Sequence, residues 1–263
     1  MSLSNKEINS IAQDLLKAEK NCKPIKPITK KYPNMDYDDA YAVQKKVCNL
    51  KVENGAVIVG RKIGLTSKAM QKLIGLNEPD FGTIVDNKVY AEHEIIDVKS
   101  MMNPRIEAEI GFYLNKDLKG PGITCLDVLA ATEGVMPLLE VKDSRIDTLK
   151  PNIVDAIADN ATSGIVILGG KLTEITSSLD LRLTGMIFEH NGEINDTAAG
   201  AAALGNPAEP VAWLANKFAE YDMYLHKGEF IMSGGLTKAI DVTPNSFFKA
   251  TFDRLGSVSA KFI

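Results

Sequence analysis

The stretch Arg105-Ile106-Glu107-Ala108-Glu109-Ile110-Gly111-Phe112-Tyr113-Leu114 sets the reading of the whole chain. Ile110, Phe112 and Leu114 alternate with their neighbours at the period of two that a half-buried β-strand requires. Glu107 and Glu109, two residues apart, then project from the same face. Side-by-side carboxylates repel unless something positive sits between them or one keeps its proton. A hard divalent cation meets that need with oxygen ligands. A solvent-exposed acidic edge strand meets it too, so a third carboxylate has to separate the two readings. Glu140 supplies it from the apolar run Val135-Met136-Pro137-Leu138-Leu139-Glu140-Val141, where a carboxylate is costly to bury without a partner. Glu107, Glu109 and Glu140 together make an oxygen-only set suited to Mg²⁺ or Mn²⁺.

The rest of the chain bounds the function class. Thirty Lys and Arg against 34 Asp and Glu give 263 residues a net charge of −4. The basic residues are scattered, which argues against a nucleic-acid or membrane-surface partner. Cys22, Cys48 and Cys125 are widely spaced and form no CxxC pair, so neither a disulfide framework nor a zinc ribbon is expected. The N-terminal Met1-Ser2-Leu3-Ser4-Asn5-Lys6 lacks the apolar core of a signal peptide. No apolar run approaches the roughly 20 residues of a membrane span. The expectation is a cytoplasmic protein.

Local signals place the elements. Ile8, Ile11, Ala12, Leu15 and Leu16 fall at helical spacing over 5–20, with Ser4 and Glu7 as a capping box. Pro24, Pro27 and Pro33 predict an extended connector. A second helix opens at Asp36-Tyr37-Asp38-Asp39 and closes at Asn54-Gly55. From Ala56 the chain turns β-rich, beginning with Ala56–Leu65. A short helix over 67–74, a loop over 75–85 and a helix capped by Thr124 with Asp127 follow. Asn191-Gly192 predicts a hairpin turn, and Pro210–Glu220 a helix with Val211, Leu214, Ala215 and Phe218 inward. Alternating βα units are not sustained, so the expected fold class is α+β. Residues 1–55 form an N-terminal helical cap too small to fold independently, and 56–263 form a β-rich, mostly antiparallel body.

Two further features carry chemistry. Lys62 sits within the first strand. It is either an edge lysine reaching solvent or a partly buried lysine able to handle protons. The turn Gly234-Gly235-Leu236-Thr237 resembles a backbone-amide cradle for an anion. Asp80, in Pro79-Asp80-Phe81-Gly82, reads by itself as a turn former.

Several stretches together resemble one family. They are Gly60-Arg61-Lys62-Ile63-Gly64-Leu65-Thr66, Pro79-Asp80-Phe81-Gly82, Arg105–Ile110, Glu140 with Asp143-Ser144-Arg145, Ala158-Asp159-Asn160-Ala161 and Leu255-Gly256-Ser257-Val258. In this order they resemble the 2-oxopent-4-enoate hydratase and 4-oxalocrotonate decarboxylase branch of the fumarylacetoacetate hydrolase superfamily. The resemblance implies a mixed β-roll or barrel-like fold, a divalent metal (Mg²⁺ or Mn²⁺), homo-oligomers and small 2-oxo acid substrates from aromatic meta-cleavage. It also allows association with other enzymes of the same pathway. Carried over by position, Glu107, Glu109 and Glu140 are metal ligands, and Lys62 and Asp80 the proton-transfer pair. Arg61, Arg145 and Lys238 are candidates to read a second substrate carboxylate. Asn160, Thr162 and Thr237 either hydrogen-bond substrate oxygens or are structural. Val135-Met136-Pro137 and Asp143-Ser144-Arg145-Ile146 look like hydratases. Tyr32-Pro33 and the Gly234-Gly235-Leu236-Thr237 turn look like the decarboxylases and dicarboxylate hydratases. The expected activity is hydration of a 2-hydroxypenta-2,4-dienoate. The alternatives are decarboxylation of 2-oxohex-3-enedioate and a non-catalytic binding protein that retains the fold. C–C bond hydrolysis is disfavoured, because His93, His190 and His226 lie in none of the matched stretches.

Overall fold

The computed structural model describes residues 2–74, 76–147 and 152–263. Gly75, at the start of the expected loop, and residues 148–151 of the polar segment after Arg145 lie outside them. In chain order the helices are α1 (Asn5–Asn21), α2 (Ile28–Lys31), α3 (Tyr37–Glu53), α4 (Lys68–Ile74), α5 (Cys125–Ala130), α6 (Ile153–Ala158) and α7 (Ala208–Ala219). The strands are β1 (Ile58–Gly64), β2 (Asp80–Val85), β3 (Val89–Ala91), β4 (Ile95–Ile96), β5 (Arg105–Leu114), β6 (Thr132–Lys142) and β7 (Ser163–Leu168). They continue with β8 (Gly185–His190), β9 (Glu193–Ala199), β10 (Phe230–Met232), β11 (Ile240–Asp241), β12 (Phe247–Phe252) and β13 (Gly256–Phe262).

Capping chemistry sets the helix starts. Ser4 with Glu7, Asp36 with Asp39 and Thr124 with Asp127 each form a reciprocal capping box, which satisfies N–H groups that a helix start leaves without partners. The connector over 22–33 is not wholly extended, because α2 interrupts it. Pro27 precedes that turn, a place where its missing N–H is tolerated. Asn191 and Gly192 take φ of 53° and 87°, both positive as the two-residue turn between β8 and β9 needs.

The strands form two open sheets. The larger runs β2-β1-β10-β5-β6-β7-β3, with β11 beside the start of β5, and the smaller runs β4-β13-β12-β8-β9. Pairing is mostly antiparallel, with parallel contacts at β1–β10, β3–β7 and β4–β13. The fold is α+β, and neither sheet closes into a barrel. Two expected boundaries move because strand partners extend the ladders. β2 begins at Asp80, inside the expected loop, where it pairs with Gly64 of β1. β6 begins at Thr132 and follows the whole of β5.

The alternation in β5 divides the molecule. Ile106, Ala108, Ile110, Phe112 and Leu114 are fully buried. They share one cluster with Phe248 and Phe262 of the smaller sheet, Leu15 of α1, Val43 of α3 and Phe218 of α7. Each of the larger side chains among them contributes about 1.5–3 kcal/mol on burial. Trp213 is half-buried against this core. The opposite face of the larger sheet carries a smaller apolar cluster, including Leu138, Phe230 and Met232, and the acidic residues of β5 and β6. Among the described residues no helix is long and apolar enough to cross a membrane.

Candidate active site

Register brings the three glutamates together. β5 and β6 run antiparallel with Glu107 opposite Glu140, Glu109 opposite Leu138 and Arg105 opposite Lys142. Paired residues share a face, so the three carboxylates converge, each offering an oxygen within 4.8 Å of the others. Among the described residues no other three His, Cys, Asp or Glu side chains converge in this way. Glu109 and Glu140 are buried completely or nearly so, and Glu107 lies closest to solvent at 8%.

Lys62 is buried with them. Its Nζ lies 2.5 Å from Glu140 Oε1 and donates to the Ala161 carbonyl at 2.9 Å. β1 and β6 are three strands apart, roughly 14 Å along a flat sheet. The long Lys62 side chain and the Glu140 carboxylate reach across the two intervening strands on the same face to meet. Asp80 pairs with Gly64 and so shares the face of Lys62. A Cβ at Gly64 would lie 2.1 Å from Asp80 Oδ1, so the absent side chain provides the volume that this carboxyl occupies. The turn after β10 closes the group. The Gly234 N–H donates to Glu109 Oε2 at 2.7 Å, and a Cβ at Gly235 would lie 2.6 Å from Glu107 Cδ. The cradle is therefore occupied by the protein's own carboxylates.

The electrostatics are unbalanced. Burial pushes the Glu107 carboxyl up, Lys142 opposes the shift and Glu140 adds to it. Burial pushes Glu109 further up, reinforced by Glu140 and Glu107. Asp80 is also raised by burial, against the pull of Lys62. Glu109 Oε1, Glu140 Oε2 and Asp80 Oδ1 are buried without a hydrogen-bond partner, as are the hydroxyls of Ser233 and Thr237. Each such orphan costs on the order of 1–3 kcal/mol. Three convergent carboxylates with unsatisfied oxygens and no nitrogen or sulfur donor fit a hard divalent cation such as Mg²⁺.

The structure does not bring every residue singled out in the sequence to this group. Arg61 lies on the core face of β1, paired with Glu229 at 3.1 Å, bonded to Thr83 Oγ1 and stacked over Phe218. Arg145 is enclosed by Asp159, with Nε 2.5 Å from Oδ1, and its other nitrogens donate to the carbonyls of Asp143, Ser163 and Asp159. Both guanidinium groups are committed to these partners, although Arg61 Nε has none of its own among the described residues. The Asn160 side chain clamps both backbone groups of Thr83. The Thr162 backbone bonds Asp159 and Asp143 in the turn beneath Lys62. Thr237 follows the Gly234-Gly235 turn with its hydroxyl unpaired. Lys238 is exposed. Lys142 is the residue that sequence reasoning missed. Its Nζ is 3.5 Å from Glu107 Oε1, and the glutamates raise its pKa, Glu107 most. The signal was available: Lys142 stands two residues after Glu140 in a strand, hence on the same face.

Comparison with known proteins settles the family. The model for the fumarylacetoacetate (FAA) hydrolase C-terminal family matches residues 68–263. This chain belongs to the fumarylacetoacetate hydrolase family. Its relatives in the family include the 2-keto-4-pentenoate hydratase of Paraburkholderia xenovorans (strain LB400), 41% identical over 252 residues that span 95% of this chain and 93% of the relative. The 2-oxo-hept-4-ene-1,7-dioate hydratase of Escherichia coli is 39% identical over 259 residues, spanning 96% and 97%. The structure of 4-oxalocrotonate decarboxylase from Pseudomonas putida G7, complexed with magnesium and adipate, superposes with a TM-score of 0.96 at 38% identity, covering 100% of this chain and 99% of that one. These relatives are lyase-type enzymes of the hydratase and decarboxylase branch to which the sequence motifs pointed, and the family fold is confirmed with them.

Proposed function

We propose that this chain is a metal-dependent lyase that hydrates a 2-hydroxypenta-2,4-dienoate to a 4-hydroxy-2-oxo acid, in the meta-cleavage breakdown of aromatics. The observation that carries the proposal is the convergence of Glu107, Glu109 and Glu140 beside the buried pair Lys62 and Asp80. Glu107, Glu109 and Glu140 would hold a divalent cation, which would supply Lewis acidity for the enolisation of a 2-oxo acid. Asp80, whose carboxyl burial keeps protonated to higher pH, delivers a proton to C5 of the dienol and recovers one as the 2-hydroxyl gives up its own, giving a 2-oxo-3-enoate. Water then adds across C3 and C4, its hydroxyl to C4 and its proton to C3. Lys62, anchored by Glu140 and the Ala161 carbonyl, orients that exchange as a fixed ammonium. The unpaired hydroxyl of Thr237 is available to a substrate oxygen.

A second reading, decarboxylation of 2-oxohex-3-enedioate, is favoured by the likeness to the decarboxylase structure that holds magnesium and adipate. One assay separates the two. Each substrate is followed by ultraviolet absorbance with Mg²⁺, with and without EDTA, while CO₂ is measured. EDTA-sensitive loss of the dienoate without CO₂ is the expected result. CO₂ release from the diacid replaces hydration by decarboxylation. Tight Mg²⁺ binding with no turnover of either substrate would overturn both readings in favour of a binding protein.

A further inference from the structure

The cations that could contact an anionic substrate are few. Arg61 and Arg145 are enclosed in ion pairs away from the glutamates. Arg105, across from Lys142 on the same face, is tied to Asp241 Oδ1 at 3.0 Å and to the Ala239 carbonyl at 2.7 Å. Lys62 is 1% exposed and held by Glu140. Lys142 differs from all of these. It faces the carboxylates, yet its side chain is 36% exposed, against 11% for the adjacent Glu107 and 1% for Glu140. It therefore stands where the site opens to solvent. The only partner that the structure gives it among the described residues is Glu107, at 3.5 Å, beyond ordinary hydrogen-bond length.

Charge sharpens the point. Three carboxylates against the ammonium of Lys62 leave two negative charges, which a divalent cation cancels. With Asp80 protonated, the loaded site is then neutral without Lys142. With it, one positive charge remains at the mouth, on a flexible stem with three donors.

We infer that Lys142 is a substrate-reading residue: its ammonium takes a carboxylate of the bound 2-oxo acid at the open side of the glutamate cluster. The inference rests on the function proposed above. Two carboxylates could be the partner, the C1 group common to all 2-oxo acids or the distal group that only a diacid carries.

Binding of two saturated analogues, 2-oxopentanoate and 2-oxohexanedioate, tests this by calorimetry in the presence of Mg²⁺. The proteins are wild type, Lys142→Met, Lys142→Gln and Lys142→Arg, each titrated first with Mg²⁺ alone. Lys142→Met and Lys142→Gln are expected to bind Mg²⁺ and to lose about tenfold in analogue affinity. Lys142→Arg retains most of it. Weakening of 2-oxohexanedioate alone assigns the distal carboxylate, and equal weakening of both assigns C1. Unchanged affinity for both analogues overturns the inference. So does loss of Mg²⁺ binding in the neutral variants, which would make Lys142 a support for Glu107 instead. Failure of the wild type to bind either analogue in a Mg²⁺-dependent manner overturns the proposed function itself, and the inference falls with it.

Discussion

Two groups of buried charges stand in the larger sheet and its flank, and they are built on opposite terms. Around Arg145 every guanidinium nitrogen has a partner. Asp159 takes Nε on one oxygen, and Ser144 Oγ and the Arg145 N–H on the other, at 3.0 and 2.9 Å. Remaining guanidinium donors go to carbonyls. Around Glu107, Glu109 and Glu140 the negative charges outnumber the buried positive one, and oxygens of Glu109, Glu140 and Asp80 have no partner. Both groups carry the desolvation penalty of buried ions. The first recovers it within the chain and holds structure. The second does not recover it within the chain, and on that imbalance the proposed metal site rests.

The largest effect should come from breaking the closed group. Arg145→Leu leaves Asp159 buried and unpaired, and is expected to cost about 3–5 kcal/mol of stability, read by urea denaturation, while the response to Mg²⁺ persists in whatever protein folds. A loss below about 1 kcal/mol, the size of a surface pair, would erase the distinction between the groups.

The open group should behave in the opposite sense. Metal-free Glu109→Gln should be at least as stable as wild type, because a neutral amide replaces a carboxyl that burial and the neighbouring glutamates hold against ionisation. Mg²⁺ at a hundred times its Kd should stabilise wild type by about 2.7 kcal/mol and the variant not at all. Thermal melts with and without Mg²⁺ read both. A variant that keeps the metal shift would remove Glu109 from the ligand set.

pH offers a smaller test. Glu107, Glu109 and Asp80 are raised above the ordinary carboxylate range. The folded, metal-free protein therefore holds protons that the unfolded chain has released, and its stability falls as pH rises through the elevated values. A tenfold difference in proton affinity between the folded and unfolded states is worth about 1.4 kcal/mol. Asp39 and Glu19 act in the other direction. Burial opposes ionisation of Asp39, but hydrogen bonds from Ser2 and Leu3 prevail and lower it to about 2. Burial likewise opposes Glu19, and Lys51 and Lys88 prevail to bring it to about 2. Their stabilisation is present above the ordinary carboxylate pKa and is lost as pH falls toward 2. Denaturation without metal should thus show a maximum on the acid side of neutrality. Saturating Mg²⁺ should flatten the decline toward higher pH. A metal-free optimum above pH 7 would contradict the unbalanced charge.

The smallest expected effect is that of Gly235→Ala. A methyl group there meets the Glu107 carboxyl, and the displacement should cost about 1 kcal/mol, seen as several-fold weaker Mg²⁺ binding in a metal titration. Unchanged binding would show that Glu107 has room to move.

Much of this molecule was legible one element at a time. Ser4 with Glu7, Asp36 with Asp39 and Thr124 with Asp127 announced helix starts, because capping is settled within four residues. The alternation of β5 and the Asn191-Gly192 turn were legible for the same reason. So were the glutamates: a period of two places Glu107 and Glu109 on one face, and Glu140 was conspicuous in an apolar run. That period also puts Lys142 beside Glu140. Its meaning was missed, because an isolated lysine at a strand end reads as solvated.

Only the tertiary structure decided which charges meet. Asp80 belongs to a strand because β1 offers it a ladder, a contact that no local pattern reveals. Lys62 reaches Glu140 across β10 and β5 because strand order puts both on one face of the same sheet. Arg61 and Lys62 are neighbours in sequence, yet the pleat sends one to the core beside Glu229 and the other to the carboxylates. Arg145 follows Glu140 closely and is still claimed by Asp159. Local periodicity fixes the face a side chain takes. Long-range strand order and register fix what it finds there, and for buried charges the partner found separates a closed ion pair from an open one.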